Sequence, residues 1–408
     1  MSTHTLERFE AIAGGVTTAG GFRAAGVSAG IKARAGALDL CLLVSDPPAT
    51  AAAVFTTNKA AAAPVIVSRE HLKKNGGTVR AIVVNSGCAN ACTGEAGVEV
   101  SRESASEAAR LVGCPAEQVL VASTGVIGVD LPADKVRHGL GLAMSALGSD
   151  QGAAAAQAIM TTDPFPKEAA ARVSIGGRDV IIGGMAKGSG MIEPNMATML
   201  GFITTDAAVP KALLDRALTE AVNETFNAIT VDGECSTNDC VMVLANGASG
   251  ATVDASSYES FTYALTAVCL QLALGIVRGG EGATKLITVA VTGAATTDEA
   301  RKAAKAIANS PLVKTAIHGG DPNWGRLIAV AGRAGVEFNL QKARVTIGTV
   351  VLFSDGRPFD EAAPEAAKYL KNREINVNVD LGAGSAASTV WTCDLSAEYV
   401  RINAEYRT

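Results

Sequence analysis

Short β-branched runs alternate along this chain with alanine-rich stretches of helical periodicity, and no linker rich in Pro, Ser or Gly interrupts them. That alternation predicts an α/β fold, because strands separated by helices build a sheet covered on its faces. Strands are expected over 39–44, 79–84, 118–122 and 286–291. Residues 172–182 read as a hairpin, two alternating runs about a Gly-Gly turn. Helical spacing predicts helices over 95–111, 133–146, 210–227, 258–274 and 298–309. Pro210 suits a first turn, where its missing N–H would be unpaired anyway. The C-terminal third returns to strands at 343–353 and 374–380.

A chain of 408 residues with 48% hydrophobic content can bury one large core or two medium ones. Its net charge is −5 and its basic residues are scattered, which argues against a nucleic-acid partner, since phosphate contacts need a cationic patch. No apolar run of membrane-spanning length stands out, so no membrane association is expected. The first ten residues carry acids without an apolar core, unlike a secretory signal, and a cytoplasmic location is the expectation. The eight cysteines, at 41, 88, 92, 114, 235, 240, 269 and 393, lack paired zinc-ligand spacing and read as reduced, mostly buried thiols with no metal.

Loops of small polar residues recur after the strands, where α/β proteins place chemistry: 56–59, 85–90, 123–125, 161–163, 187–200, 232–239, 278–285 and 319–326. Each alone is ordinary turn chemistry; eight together point to several converging on one pocket. The Gly279–Lys285 run places its lysine after the threonine and is no phosphate loop. Lys187-Gly-Ser-Gly-Met191 lacks the outer glycines of a hydrolase elbow. Cys88 is a candidate nucleophile without a histidine near it in sequence, His71 and His138 read as surface residues on helices, and His318 borders the 319–326 loop.

The 187–200 stretch, Lys-Gly-Ser-Gly-Met-Ile-Glu-Pro-Asn-Met-Ala-Thr-Met-Leu, carries two readings. Residues 197–203 form a buried strand following a loop, or Thr198 is a nucleophile released by a break of the Ala197–Thr198 bond. In the second case its new α-amine, with a pKa of roughly 7.7–8.0, serves as the base for its own hydroxyl. With no compositional boundary there, such a cut falls inside a folded body and both pieces stay associated.

The same stretch, with Gly21–Gly26, Val54–Asn58, Asn85–Asn90, Ser123–Gly128, Met160–Asp163, Gly319–Arg326 and Asn403–Thr408, resembles the ornithine acetyltransferase family nearly end to end. That resemblance implies the bifunctional glutamate N-acetyltransferases of arginine biosynthesis. Their self-processing α/β architecture is shared with a group of aminopeptidases. It implies autocleavage between Ala197 and Thr198, giving an α chain of 1–197 and a β chain of 198–408, assembled as two α and two β. It further implies Thr198 as nucleophile and Thr124 and Gly125 as the oxyanion hole. Thr161, Lys187, Thr198, Glu281, Asn403 and Thr408 match the family's substrate-binding positions.

On this resemblance, N2-acetylornithine acetylates Thr198, ornithine leaves and glutamate takes the acetyl group in a ping-pong cycle. No resident cofactor is implied; acetyl-CoA enters only as an alternative donor substrate. Lys187 is expected to hold a carboxylate and Glu281 to face an amine. Glu234-Cys235 departs from the more usual Asp-Thr, and Asp163 is followed by proline. An N-terminal-nucleophile aminopeptidase or amidohydrolase, in which water takes the acyl group, is the alternative; an uncleaved binding protein is a second.

Overall fold

Two β-sheets carry the helices, as a computed structural model describing residues 9–193 and 199–405 shows. Ala197, Thr198 and Thr408 lie outside the described residues. The first sheet holds, among the described residues, β1 (Glu10–Ile12), β2 (Phe22–Val27), β3 (Leu40–Phe55), β4 (Thr78–Cys88), β5 (Val119–Val126), β6 (Lys167–Ile175), β7 (Arg178–Lys187), β8 (Leu200–Thr205) and β9 (Cys240–Ala245). Its order is β1-β6-β7-β8-β9-β3-β4-β5, with β2 also paired to β3. β8 and β9 run parallel and are buried at every position, as expected of central strands covered on both faces.

One face of this sheet packs on the helices Lys211–Glu224 and Tyr258–Arg278 through residues such as Ile182, Ile203, Leu218, Phe261 and Leu272. Helices Gly94–Val112 and Ala133–Ala146 cover β3, β4 and β5. The second sheet follows in sequence as β10 (Leu286–Ala294), β11 (Arg344–Ile347), β12 (Val350–Ser354), β13 (Arg357–Pro358), β14 (Glu374–Asp380) and β15 (Ala386–Cys393), in the order β13-β12-β11-β14-β10-β15. Its core packs on Thr297–Ala308, Pro311–Gly319 and Trp324–Gly332. Leu286 and Cys393 join the first sheet's core.

The α/β expectation holds, and the hairpin expected over 172–182 is the β6–β7 pair, turning at Gly176 and Gly177 with φ of 58° and 77°. Two strands differ from expectation. β3 extends well past the strand expected over 39–44 and runs through Pro47-Pro48. The prolines fit because β2 pairing ends at Ser45, β9 pairing begins at Thr50, and the β4 register shifts between Val44 and Ala49, so no ladder needs their missing donors. Residues 343–353 are a hairpin, β11 and β12, rather than one strand, since Gly348 takes a φ of 61° between them. The helix expected from Pro210 starts at Lys211, with Pro210 as its cap.

Helix Tyr258–Arg278, 21 residues, has the length and composition to cross a membrane, contrary to the reading of no such run. Its buried face instead packs on β6, β7 and helix Lys211–Glu224. That burial explains its apolar composition.

Candidate active site

The C-terminal end of β7 delivers Lys187 into a cleft also lined by Thr124, Gly125, Thr161, Glu281 and Asn403. Thus every site residue anticipated from sequence that falls within the described residues lines one cavity. Lys187 is buried, and its Nζ donates to Thr161 Oγ1 at 2.8 Å and Thr124 Oγ1 at 3.1 Å. With its lone pairs engaged by an ammonium, the Thr124 hydroxyl keeps its own proton to donate elsewhere.

Gly125 follows at the end of β5, where β4 and β5 run parallel and the register slips at Cys88. Its φ is +131°, and a Cβ there would stand 2.3 Å from the Gly87 carbonyl carbon. Only glycine allows β5 to press this closely on β4 at the point where Thr124 and Gly125 line the cleft.

The charge of Lys187 is balanced by Asp163, whose Oδ2 lies 3.9 Å away. Asp163 also accepts from Lys167 Nζ at 2.5 Å, from Gly188 N at 2.7 Å and from Thr161 N at 3.0 Å. Burial alone would push this carboxyl up, but Lys187, Lys167 and the Gly188 N–H together hold it at about 2. Burial lowers Lys167 against the pull of Asp163.

Glu281 occupies the other side of the cleft, after the Gly279-Gly280 turn that ends helix Tyr258–Arg278. It is buried, accepting from Thr162 Oγ1 at 2.8 Å on Oε1 and from Asn403 Nδ2 at 2.9 Å on Oε2. Helix Ala397–Glu405 supplies Asn403. A Cβ on Gly190 would fall 2.4 Å from Glu281 Oε2, so the second glycine of the Lys-Gly-Ser-Gly run makes room for this carboxylate. The serine between the glycines donates to Gly279 O at 2.7 Å and ties the two loops together.

The 232–239 loop and the start of β9 hold the chain on the two sides of residues 194–198. Asp232 accepts from Met191 N at 2.7 Å and Ile192 N at 2.8 Å, with Met191 at a φ of 56°. Beyond, Cys240 N donates to Met199 O at 3.0 Å, and β8 begins at Leu200. A buried strand is therefore present where 197–203 suggested one, starting at Leu200. Sequence reasoning ranked Thr162, Asp163, Asp232 and Asp239 only as loop members; no local signal separates them from turn residues.

Two of the polar loops stay out of the cleft. Thr56 and Asn58 instead brace the 235–236 backbone from behind, and Trp324 stacks on Phe353 of the second sheet. Cys88 is buried with its thiol pushed up by burial and donating to Val129 O, a poor nucleophile. His71 is buried, bonded to Val119 O at 2.8 Å, rather than on the surface. His318 does not line the cleft; it pairs with Asp394 at 2.7 Å, and Asp394 also accepts from Thr284 and Lys285.

A cationic ammonium set between two hydroxyls can stabilise an oxyanion, and a buried carboxylate in the same cleft can receive a cation. Comparisons with known proteins agree with an acyl-transfer site. The model of the ArgJ family matches residues 23–408. A curated relative from Symbiobacterium thermophilum, named arginine biosynthesis bifunctional protein ArgJ, is 52% identical over 98% of this chain and 100% of its own. A protein of the same name from Synechococcus sp. is 50% identical over 98% of this chain and 99% of its own. A crystal structure of the Bacillus halodurans protein of that name is 46% identical with a TM-score of 0.50, covering 51% of this chain and 100% of that one.

Proposed function

The chain belongs to the ArgJ family, and from that premise we propose that it transfers the acetyl group of N2-acetylornithine to glutamate through an acetyl-Thr198 intermediate. The observation that carries this reading is the pairing of Lys187 with Thr124 and Thr161 on one side of the cleft and of Glu281 with Asn403 on the other.

In this reading Thr198, made N-terminal by a cut after Ala197, attacks the acetyl carbonyl while its own α-amine takes the hydroxyl proton. The oxyanion that forms is met by Thr124 and the Gly125 amide. Lys187, expected from sequence to hold a carboxylate, already donates to two threonines, and in this reading it instead strengthens Thr124 as a donor and attracts the developing negative charge. The buried Glu281 receives the cationic side-chain end of ornithine and is held in place by Thr162 and Asn403. Glutamate then enters where ornithine left, and its α-amine takes the acetyl group.

Self-cleavage into 1–197 and 198–408 is supported by the Bacillus halodurans chain, which is matched completely by about half of this one. The curated relatives, by contrast, match at full length. Two copies of each piece, a cytoplasmic location, no resident cofactor, and acetyl-CoA as a second donor complete the proposal. Thr408 is assigned to the substrate site on the same resemblance.

Incubation of the purified protein with N2-acetylornithine and glutamate is the test. N-acetylglutamate and ornithine in equal amounts are expected; acetate in place of N-acetylglutamate would overturn the transferase reading in favour of a hydrolase.

A further inference from the structure

Two polar stretches, 85–90 and 232–239, meet at Asn238. Its Nδ2 donates to Ala89 O at 2.6 Å and to Ser123 O at 2.9 Å. Its Oδ1 accepts from Thr237 Oγ1 at 2.7 Å. The residue is 5% exposed and lines the cleft with Ala89, Thr124 and Gly125. Two carbonyls can be met only by N–H groups and a hydroxyl proton only by an acceptor, so the amide has one possible orientation here.

The bond to Ser123 completes a row. β5 stands at the end of its sheet's order, so one edge of it faces away from β4. The carbonyls of Val119, Val121 and Ser123, two residues apart, are each met by a side chain, in keeping with the period of a strand. His71 Nδ1 bonds Val119 O at 2.8 Å and Ser68 Oγ donates to Val121 O at 2.7 Å, both from helix Ala63–Lys74. Asn238 takes the third place, at the end that reaches the cleft. Its neighbours in the chain are fixed as well, Thr237 O accepting from Ala62 N and Asp239 O from Thr56 N, each at 2.9 Å. On the β4 side, Ser123 Oγ donates to Asn85 Oδ1 at 2.6 Å, and Asn85 Nδ2 to Cys88 O at 2.8 Å.

The Ser123 carbonyl belongs to the same planar peptide unit as the Thr124 nitrogen. Holding that oxygen therefore holds the plane from which Thr124 projects, and the Thr124 hydroxyl is the one that Lys187 reaches at 3.1 Å. We propose that Asn238 is a positioning residue of acetyl transfer, pinning the Ser123–Thr124 peptide so that the Thr124 hydroxyl stands where the oxyanion forms. This rests on the reading of the chain as an acetyltransferase with Thr124 as oxyanion donor. Asn238 acts through Thr124, since both its N–H groups are spent on carbonyls. A donor displaced by about 1 Å costs on the order of 100-fold in rate, while the bound substrate keeps its other contacts. The loss should therefore fall on kcat.

The test compares wild type, Asn238→Ala, Thr124→Val and the double variant. Ornithine release from N2-acetylornithine is measured with glutamate present and expressed per cleaved chain, with a melting curve on each protein. Asn238→Ala should lower kcat about 10–100-fold with KM within about threefold of wild type. Thr124→Val should lower kcat about 100-fold or more, and the double variant should stay within about fivefold of it, because a clamp on an absent hydroxyl gains nothing. A purely structural Asn238 would lower the melting midpoint and leave kcat within about threefold, or would multiply with Thr124→Val; either result overturns the assignment. So does a variant that folds but stays uncleaved, which would place Asn238 in maturation. Should alanine unfold the chain, Asn238→Asp decides, since it keeps the shape but brings at most one proton to two carbonyls. A folded Asp variant should lose at least about tenfold in kcat, and one at the full rate overturns the role. A wild type that releases no ornithine removes the acetyltransferase reading itself.

Discussion

Lys187 Nζ lies 3.1 Å from Thr124 Oγ1, joining the end of β7 to the end of β5 across the cleft. The two strands are not neighbours in the sheet, since β8, β9, β3 and β4 stand between them. The contact therefore depends on Thr124 and Lys187 leaving their strands toward the same side. It makes the proposed oxyanion donor and the charge beside it one unit.

Replacing Lys187 with Met keeps the length of the side chain and removes the charge. The rate of ornithine release from N2-acetylornithine, per cleaved chain, should fall about 100–1,000-fold, the scale of losing one oxyanion-stabilising group. Arginine should not restore it, because a planar fork cannot take the position of a compact ammonium between two hydroxyls. A Met variant within threefold of wild type would remove Lys187 from the transition state.

Glu281→Gln offers one amide oxygen where two carboxylate oxygens accept from Thr162 and Asn403. It also loses the charge that would meet a cationic tail. We expect kcat/KM for N2-acetylornithine to fall about 10–100-fold, the range of a hydrogen bond to a charged group, with a smaller effect on glutamate. Steady-state kinetics with each substrate varied in turn distinguishes these, and unchanged kcat/KM for the donor would exclude Glu281 from tail recognition.

Asp163 should set part of the acid limit of stability. Its carboxyl is held at about 2 in the fold against an ordinary value of 3.8. A carboxyl lowered by folding adds stability that is fully present above its unfolded value and is lost as pH falls through the folded one. Denaturant melts should therefore lose about 2 kcal/mol between roughly pH 4 and pH 2 from this group. Asp163→Asn should flatten that limb. At neutral pH it should destabilise the chain by about 3–5 kcal/mol, because Lys167 and Lys187 are left buried without their anion.

Much of the architecture was legible because it is written locally. The Gly176-Gly177 pair between alternating runs can only turn a hairpin, and the helix Ala133–Ala146 falls where its spacing put it. What resisted reading was non-local. The strand expected over 39–44 stops short of Pro47-Pro48, and only the pairing of β2, β4 and β9 shows that those positions need no ladder partners. Asp163 looks like a turn residue until Lys167 and Lys187 close on it from β6 and β7. Likewise nothing near Asp239 in sequence announces that one of its oxygens is buried without a partner. Thr124, Gly125, Thr161, Lys187, Glu281 and Asn403 were reached from sequence through family resemblance, and the fold gathers them into one cleft.

Gly125→Ala tests whether the oxyanion site is a matter of backbone approach. The new methyl would meet the Gly87 carbonyl carbon at 2.3 Å and the Cys88 nitrogen at 2.6 Å, both backbone atoms of the neighbouring strand. Neither can swing away as a side-chain end could, and the φ of +131° is strained for any residue with a Cβ. β5 must therefore pull back from β4 where Cys88 and Thr124 pair. The melting midpoint should drop by an amount corresponding to roughly 2–4 kcal/mol, in the range of overpacking plus backbone strain. Because the displaced amide belongs to the proposed oxyanion pair, kcat should fall about 100-fold or more in protein that remains folded below its new midpoint. Loss of stability with kcat preserved would show that Gly125 shapes the sheet without its amide serving the reaction.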